Sequence, residues 1–467
     1  MEAGPNGSGR IMTRLTRGLF IVGLGFSLVV AVVVVILVGT SRSSTGSAQG
    51  PAPRPLVTAQ PGVVPVSDSA PAPTTAGLAA ALAGPLADPN LGAITGRITD
   101  AVTGDQLWEL GAGVPMQPAS TNKTLTAAAA LLALDRDARV TTRVVAADQT
   151  TQPGTVVLVG GGDPTLSAAP PGQETWYRGS ARISDLADQV RRSGLVPTAV
   201  QVDGSLYSGP DMAPGWDPAD IDGGDIAPMQ AVMLDAGRIQ PTTDESRRST
   251  TPALDAGRAL AVALGVNPAT VTFAAGPPQG RQLAAVESAP LMERLRQMMN
   301  LSDNVMAEAT AREVAQATGR PLSFAGGVDA VTSTLASAGV DMTGSSLQDS
   351  SGLSVDDRLT AKTLDEVVNV AVGQKDSNLR ALLDLLPIAA GSGTLSNRFV
   401  DGDIVTSAGW LRAKTGSLTG TNALAGVVTD VDGRVLTFAF ISNNAGPTGR
   451  LSLDALAGVL RTCGCAA

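Results

Sequence analysis

The sequence of 467 residues contains no histidine, and this absence excludes several classes of catalytic site at once. A Ser-His-Asp or Cys-His arrangement loses its base, and zinc sites that need an imidazole ligand cannot form. Only two cysteines are present, Cys463 and Cys465, which excludes a cysteine cluster and leaves either a local disulfide or two free thiols. Any general base must therefore be a carboxylate, a lysine or a tyrosine.

Lysine is scarce as well, since only four of the 33 basic residues are lysines: Lys123, Lys362, Lys375 and Lys414. Arginine stays protonated in proteins, whereas a desolvated lysine can lose its proton and act as a base. Each lysine is therefore a candidate for a role that arginine cannot fill. The net charge of −9 argues against nucleic acid as the principal partner, and a hydrophobic content of 43% indicates a globular chain of two or three domains.

Residues 18–39 form a run of 22 residues without a charge, which is long enough to cross a bilayer as a helix. Three arginines precede this run and only one follows closely, so the positive-inside rule places residues 1–17 in the cytoplasm and the rest of the chain outside. A cleaved signal peptide is the alternative, although its apolar core is usually shorter. We expect a single-pass membrane protein, or a secreted one if the segment is cleaved.

Residues 40–77 are rich in proline, alanine, serine and threonine, and this composition predicts an extended linker that cannot form a core. Further along the chain, a hairpin is predicted at 93–113 and three antiparallel strands at 411–442, with helices between them. Strands at both ends of a helical middle favour a single sheet that collects both ends of the domain. The predicted fold class is α+β.

The first motif that could perform chemistry is Ser120-x-x-Lys123, at the start of a predicted helix. Residues three apart on a helix share a face, so the hydroxyl and the amine can meet. Backbone N–H groups and the positive end of the helix dipole would favour an anion on the serine, and a neutral lysine could take its proton in place of the missing histidine. A capping serine with a surface lysine is the alternative, and the pattern alone is weak.

Two further motifs are Ser-Asp-Asn at 302–304, between predicted helices, and Lys-Thr-Gly at 414–416, on a predicted strand. Taken singly, Ser-Asp-Asn is better explained as an ordinary capping turn, and Lys-Thr-Gly could contain an exposed lysine of an edge strand, which is common. Yet two of the four lysines fall in a Ser-x-x-Lys and a Lys-Thr-Gly, with Ser-Asp-Asn between them in order. This ordered set is the signature of penicillin-binding proteins and class A β-lactamases.

The spacing of the motifs distinguishes between these groups. Ser120 precedes Ser302 by 182 residues, and Ser302 precedes Lys414 by 112. The first interval is far longer than in class A β-lactamases, and the chain resembles the D-alanyl-D-alanine carboxypeptidase/endopeptidase (DacB-type) family, the class C low-molecular-mass penicillin-binding proteins. Further stretches that match the family lie at 160–166, 349–354 and 386–399.

The resemblance implies a β-lactamase/DD-peptidase-like transpeptidase fold, in which an antiparallel sheet with flanking helices is joined by a helical subdomain. Residues 78–135 and 288–467 would form this domain. Residues 136–287 would form an inserted, mainly β/α subdomain, shorter than in the larger family members.

The resemblance also implies a role for each motif residue in an acyl-enzyme mechanism. The catalytic residues would be Ser120, Lys123, Ser302, Asn304 and Lys414. The substrate would be bound by Thr415, Gly416 and Ser417. Backbone N–H groups of Ser120 and Ser417 would form the oxyanion hole. The expected substrates are the D-Ala-D-Ala stem peptides of peptidoglycan, with β-lactams as covalent inhibitors and with no metal or cofactor.

Two alternatives remain open at this point. A class A β-lactamase uses a glutamate downstream of Ser-Asp-Asn to activate water, but no glutamate lies between Glu313 and Glu366. Asp349 is a carboxylate in that interval, and we interpret it as structural or groove-lining. The other alternative is a penicillin-binding sensor or scaffold domain that is acylated but cleaves no peptide.

Overall fold

The computed structural model describes residues 69–373 and 378–464. No helix within these ranges has both the length and the apolarity needed to cross a bilayer. The membrane segment predicted at 18–39 lies outside the described residues, as does most of the predicted linker.

Two five-stranded sheets are present in the described part of the chain. Their strands are β1 Ala93–Asp100, β2 Gln106–Leu110, β3 Thr141–Ala146, β4 Thr155–Val159, β5 Ala199–Asp203, β6 Thr272–Phe273, β7 Gln282–Glu287, β8 Leu411–Leu418, β9 Thr421–Thr429 and β10 Val435–Asn443.

The first sheet has the order β2-β1-β10-β9-β8 and is antiparallel throughout. Strand β1 pairs with β10 along its whole length, from Ala93 opposite Asn443 to Asp100 opposite Leu436. One sheet therefore joins the two ends of the domain, as the sequence predicts. Strand β8 lies at the edge of this sheet. Residues 387–389 bond to the first half of β8, at Leu411 and Ala413, and its second half, from Lys414 onward, lies at the candidate active site.

The second sheet has the order β6-β5-β4-β3-β7 and is mixed, with β4, β5 and β6 parallel and β3 antiparallel to both neighbours. All five strands lie between residues 141 and 287. They enclose a core of their own with two helices, and that core includes Val144, Leu158, Leu186, Val202 and Leu260. This part of the chain is the span expected to form the inserted subdomain.

The helices of the described residues fill the space between and around the sheets. They are α1 Thr75–Leu86, α2 Lys123–Ala133, α3 Ile183–Arg192, α4 Ala219–Gly223, α5 Pro252–Leu264, α6 Leu291–Leu301, α7 Asn304–Ala317, α8 Phe324–Ser337, α9 Ala361–Val372, α10 Leu382–Leu385 and α11 Gly449–Thr462. Helix α2 is buried along most of its length because its short alanine side chains let α7 and α8 pack closely against it. Cys463, just after α11, is disulfide-bonded.

The linker predicted at 40–77 extends too far toward the C-terminus, because helix α1 begins at Thr75. Thr74 caps α1 by accepting a 3.0 Å hydrogen bond from the N–H of Gly77. Leu78 and Leu82 are fully buried on the inner face of this helix, and the carbonyl of Ala70 accepts a 3.0 Å hydrogen bond from Arg434. Burial of these two leucines stabilises the segment, although the neighbouring sequence does not favour an ordered structure.

Candidate active site

Ser120 lies on a 3-10 turn, Ala119–Asn122, that runs directly into α2. Lys123 is the first residue of that helix, so the turn places both side chains on the same side. The Nζ of Lys123 lies 2.9 Å from the Oγ of Ser120, and the lysine side chain is fully buried. The hydroxyl of Ser120 and the amine of Lys123 are therefore within hydrogen-bonding distance, as the spacing of the motif predicts.

Lys123 has two further hydrogen-bond acceptors, which use all three donors of its ammonium form. Its Nζ donates to Asn304 Oδ1 at 2.5 Å and to the carbonyl of Ser351 at 2.7 Å. Burial lowers the pKa of Lys123 to about 8, although nearby carboxylates oppose this effect. With this pKa about one lysine in ten is neutral at pH 7, so the neutral form that a general base requires is populated.

The Ser-Asp-Asn motif forms a sharp junction between α6 and α7. Ser302 ends α6 with φ +56°, a left-handed conformation, and Asp303 caps α7 by accepting from the N–H of Met306 at 2.9 Å. The reversal separates the two outer residues of the motif. Asn304 points to Lys123, while the Oγ of Ser302 lies 2.9 Å from the Nζ of Lys414.

Lys414 is fully buried on β8 and donates to Ser302 and to the carbonyl of Thr415 at 2.8 Å. Burial lowers the pKa of Lys414 well below its ordinary value, and the positive charges of Lys123 and Arg398 lower it further. The site thus contains two hydrogen-bonded groups: Ser120 with Lys123 and Asn304, and Ser302 with Lys414. Ser302 bonds to Lys414, whereas Lys123 bonds to Ser120, Asn304 and the carbonyl of Ser351.

The Lys-Thr-Gly segment lies directly against the turn that holds Ser120. A Cβ placed on Gly416 would lie 2.7 Å from the carbonyl oxygen of Pro118 and 3.1 Å from the backbone nitrogen of Ser120. A side chain at this position is therefore excluded. The next residue, Ser417, is exposed at the strand edge, and the Oγ1 of Thr415 donates to Thr394 at 2.8 Å.

A supporting loop at residues 349–354 packs against the turn that contains Ser120 and the start of α2. Three consecutive carbonyls accept hydrogen bonds from the start of α2: that of residue 349 from Asn122 at 3.1 Å, that of 350 from Thr126 at 2.6 Å, and that of 351 from Lys123. Asp349 holds the loop by accepting from the N–H groups of residues 351, 352 and 354 and from Trp216 Nε1 at 2.7 Å. This geometry gives Asp349 the structural role that the sequence favours over a catalytic one.

Residues of the span 136–287 also contact the motifs, and no pattern in the sequence pointed to them. The hydroxyl of Tyr177 donates to Asp303 Oδ2 at 2.5 Å, and the carbonyl of Asp225 accepts from Asn304 Nδ2 at 3.1 Å. These two contacts hold Asp303 and Asn304 at the start of α7, while Trp216 bonds to Asp349 of the supporting loop. Another residue that sequence reasoning missed, Glu308, lies four residues after Asn304, a spacing that indicates the same face of α7.

Comparison with known proteins agrees with this geometry. The D-Ala-D-Ala carboxypeptidase 3 (S13) family matches residues 78–246 and 242–462. The chain belongs to this family. It is 68% identical over 443 residues to carboxypeptidase DacB of Mycolicibacterium smegmatis, covering 94% of this chain and 96% of that protein. It is 65% identical over 419 residues to a carboxypeptidase of Mycobacterium tuberculosis, covering 90% of each.

The fold also has a solved counterpart, penicillin-binding protein 4 (dacB) of Haemophilus influenzae. The two structures align with a TM-score of 0.65 and 24% identity over 82% of this chain and 97% of the other. This likeness concerns the fold alone. The α+β fold of the DD-peptidase type and the membership of the carboxypeptidase family that the motifs predicted are both confirmed.

Proposed function

We propose that this S13 carboxypeptidase removes the terminal D-alanine from peptidoglycan stem peptides through an acyl-enzyme on Ser120. The observation that carries the proposal is the fully buried Lys123, whose Nζ lies 2.9 Å from the Ser120 Oγ at the start of a helix. A desolvated lysine in this position can act as the base in a chain that has no histidine.

In the first step, neutral Lys123 takes the proton of Ser120 and the serine oxygen attacks the carbonyl carbon of the penultimate D-alanine. The negative charge that develops on the carbonyl oxygen would be bound by the backbone N–H groups of Ser120 and Ser417. Support comes from the close approach of Gly416 to the Ser120 turn, which brings the two segments together.

Collapse of the tetrahedral intermediate breaks the C–N bond, and the leaving amine must gain a proton. Ser302 would give this amine its hydroxyl proton and regain one from the ammonium of Lys414, to which it is hydrogen-bonded. Release of the proton held by Lys123 and uptake of one by Lys414 would then reset the site. Asn304 would hold the substrate amide, since its Nδ2 carries two hydrogens and Asp225 uses one of them. Lys414, Thr415 and Ser417 would attract the terminal carboxylate. Water then hydrolyses the ester and restores Ser120.

Two variations of this chemistry follow from the same site. If the leaving amine belongs to a second stem peptide, the reaction cuts a cross-link and the enzyme acts as an endopeptidase. A β-lactam would acylate Ser120 as a substrate mimic. Its adduct should persist, because the carboxylates nearest to Lys123 are held elsewhere: Asp349 binds loop N–H groups, and Glu308 binds Ser350 and Arg312. Rapid turnover of a chromogenic cephalosporin would favour the β-lactamase alternative.

The proposed location is outside the membrane, where peptidoglycan lies. The uncharged run at 18–39 would anchor the chain, and the proline-rich residues that follow would give the catalytic domain reach. Fractionation of cells that express the full chain tests this: recovery of the protein with the cytoplasmic fraction contradicts it.

Incubation with diacetyl-Lys-D-Ala-D-Ala and assay of free D-alanine tests the activity. We expect release by the wild-type protein and none by Ser120→Ala, which should also lose covalent labelling by a fluorescent penicillin. Labelling without D-alanine release would instead favour a sensor or scaffold. Release that survives in Ser120→Ala would overturn the mechanism.

A further inference from the structure

Glu308 is a buried carboxylic acid close to Lys123 that has no place in the mechanism above. It lies on α7 one turn after Asn304, and its side chain is fully buried. Residues four apart share a face of a helix, so Glu308 points toward α2, as Asn304 does. An ionisable group without solvent contact, so near the base, calls for a physical explanation.

The contacts of Glu308 connect it to Lys123 through two residues of the supporting loop. Its Oε1 accepts from the backbone N–H of Ser350 at 2.8 Å, and it also bonds to the hydroxyl of Ser351. The carbonyl of Ser351 is one of the three acceptors of Lys123. Glu308 and Lys123 therefore lie on opposite sides of the same short backbone segment, within reach of each other's charge.

Other ionisable groups surround this pair from every packed element. Lys123 also faces Asp349 of the loop, Asp303 at the start of α7 and Asp225 of the span 136–287, and its charge also reaches Lys414 on β8. Burial opposes ionisation of Asp303, but the charge of Arg248, the hydrogen bonds from Tyr177 and Met306 and the charge of Arg238 keep its pKa below the ordinary value.

Glu308 itself faces Asp349 and Asp357, while Arg312 one turn further along α7 donates to it at 3.4 Å. Burial raises the pKa of Asp357 to about 10, so this carboxyl is protonated near neutral pH. Burial and the charge of Asp349 raise the pKa of Glu308 to about 7. The charge of Glu308 therefore changes close to the pH range in which Lys123 deprotonates.

We propose that Glu308 is a positioning residue whose negative charge sets the pH at which Lys123 becomes able to take the proton of Ser120. This inference rests on the proposed function, since it assigns a role to Glu308 in the same acylation step. A carboxylate near an ammonium favours the protonated lysine and therefore raises its pKa. Glu308 would offset part of the effect of burial, so that Lys123 is basic enough to deprotonate a hydroxyl yet still partly neutral.

The test is the pH profile of acylation by a fluorescent penicillin, measured as a second-order rate constant between about pH 5 and pH 10. Glu308→Gln keeps the shape and the acceptor for Ser350 but removes the charge. Because the ammonium of Lys123 then loses a stabilising neighbour, we expect the acidic limb of the profile to move down by about one pH unit. Glu308→Asp keeps the carboxylate and should retain the wild-type limb.

Glu313→Gln is the matched control, because Glu313 is a second glutamate on α7 that pairs with an arginine, Arg294, and not with the site. The acidic limb of the pH profile of Glu313→Gln should stay at the wild-type pH. If the acidic limb of Glu308→Gln is not shifted, the inference is overturned. If that variant does not fold, Glu308→Met carries the same expectation and the same refutation. Absence of acylation in the wild-type protein would instead refute the proposed function.

Discussion

Lys123 and Lys414 are both fully buried, and the amine of each is held by hydrogen bonds to a few oxygen atoms. Lys123 has three acceptors, whereas Lys414 has Ser302 and the carbonyl of Thr415. Each positive charge disfavours the other. Carboxylates act on Lys123, whereas the charges that act on Lys414 are those of Lys123 and Arg398. The two lysines therefore differ in their electrostatic surroundings.

We expect Lys123→Arg to lower the rate of penicillin acylation by about a hundredfold or more, the usual range for loss of a general base. Arginine keeps the positive charge but does not deprotonate in the working range, so the variant removes the base and retains the cation. The measurement is the rate of labelling by a fluorescent penicillin at fixed pH.

Lys362→Arg is the control for Lys123→Arg, because Lys362 is partly exposed and bonds to Asp341 and Glu366 outside the site. Its labelling rate should equal that of the wild type. A Lys123→Arg protein that labels within a few-fold of the wild type would show that another residue is the base.

At the scale of elements, the site depends on how closely the edge strand β8 approaches the turn before α2. Gly416 is the point of contact, with backbone atoms of Pro118 and Ser120 inside the space that a side chain would need. Backbone atoms cannot move aside as the end of a flexible side chain can. The absence of a side chain at Gly416 therefore lets the two N–H groups proposed for the oxyanion hole lie close together.

Gly416→Ala should push the strand and the turn apart by a few tenths of an ångström. We expect acylation to slow by roughly ten- to a hundredfold, since misplacement of reacting groups is costly, and the free energy of unfolding to fall by about 1–3 kcal/mol. Labelling kinetics and thermal unfolding measure the two effects.

Gly113→Ala is the matched change for Gly416→Ala, because a Cβ at Gly113 would meet nothing within 4 Å. It should leave the acylation rate unchanged. Equal rates for Gly416→Ala and Gly113→Ala would mean that the close approach does not position the site.

The strongly patterned elements could be predicted from the sequence, and a few others could not. The hairpin predicted at 93–113 corresponds to β1 and β2, and the three strands predicted at 411–442 correspond to β8, β9 and β10. Helix α8 was not predicted, since its first turn contains two glycines, which disfavour helices. Packing overrides this preference: a Cβ on Gly327 would lie 3.2 Å from that of Ala311, so the glycine lets α8 approach α7.

At the scale of the whole molecule, three residues of the span 136–287 bond to residues around the site. Tyr177 bonds to Asp303, Asp225 to Asn304 and Trp216 to Asp349. Each contact joins residues that are far apart in the sequence, and none has a local pattern. For this reason the motif residues could be predicted from their order along the chain, whereas the residues that position them required the structure.

We expect Tyr177→Phe to lower the free energy of unfolding by about 1–3 kcal/mol, because a buried oxygen of Asp303 loses its partner. The acylation rate should fall as well, since Asp303 begins the helix that orients Asn304. Unfolding by denaturant and labelling kinetics are the two measurements.

The chain offers a control in its only other tyrosine, Tyr207, which is partly buried and whose pKa burial raises. Its hydroxyl lies 3.4 Å from the carbonyl of Gly162, a weak contact. Tyr207→Phe should therefore change both quantities little. If the two variants behave alike, Tyr177 does not position the junction.

The pairing of β1 with β10 has a consequence for how the chain matures. Strand β1 precedes its partner by more than 330 positions along the chain. The central strands of the main sheet therefore cannot pair until β10 has been made, and contacts of this sequence separation form slowly. Until then the hairpins β1–β2 and β8–β9 have no strand between them, so we expect a product truncated before residue 435 to lack the assembled sheet and to be prone to aggregation.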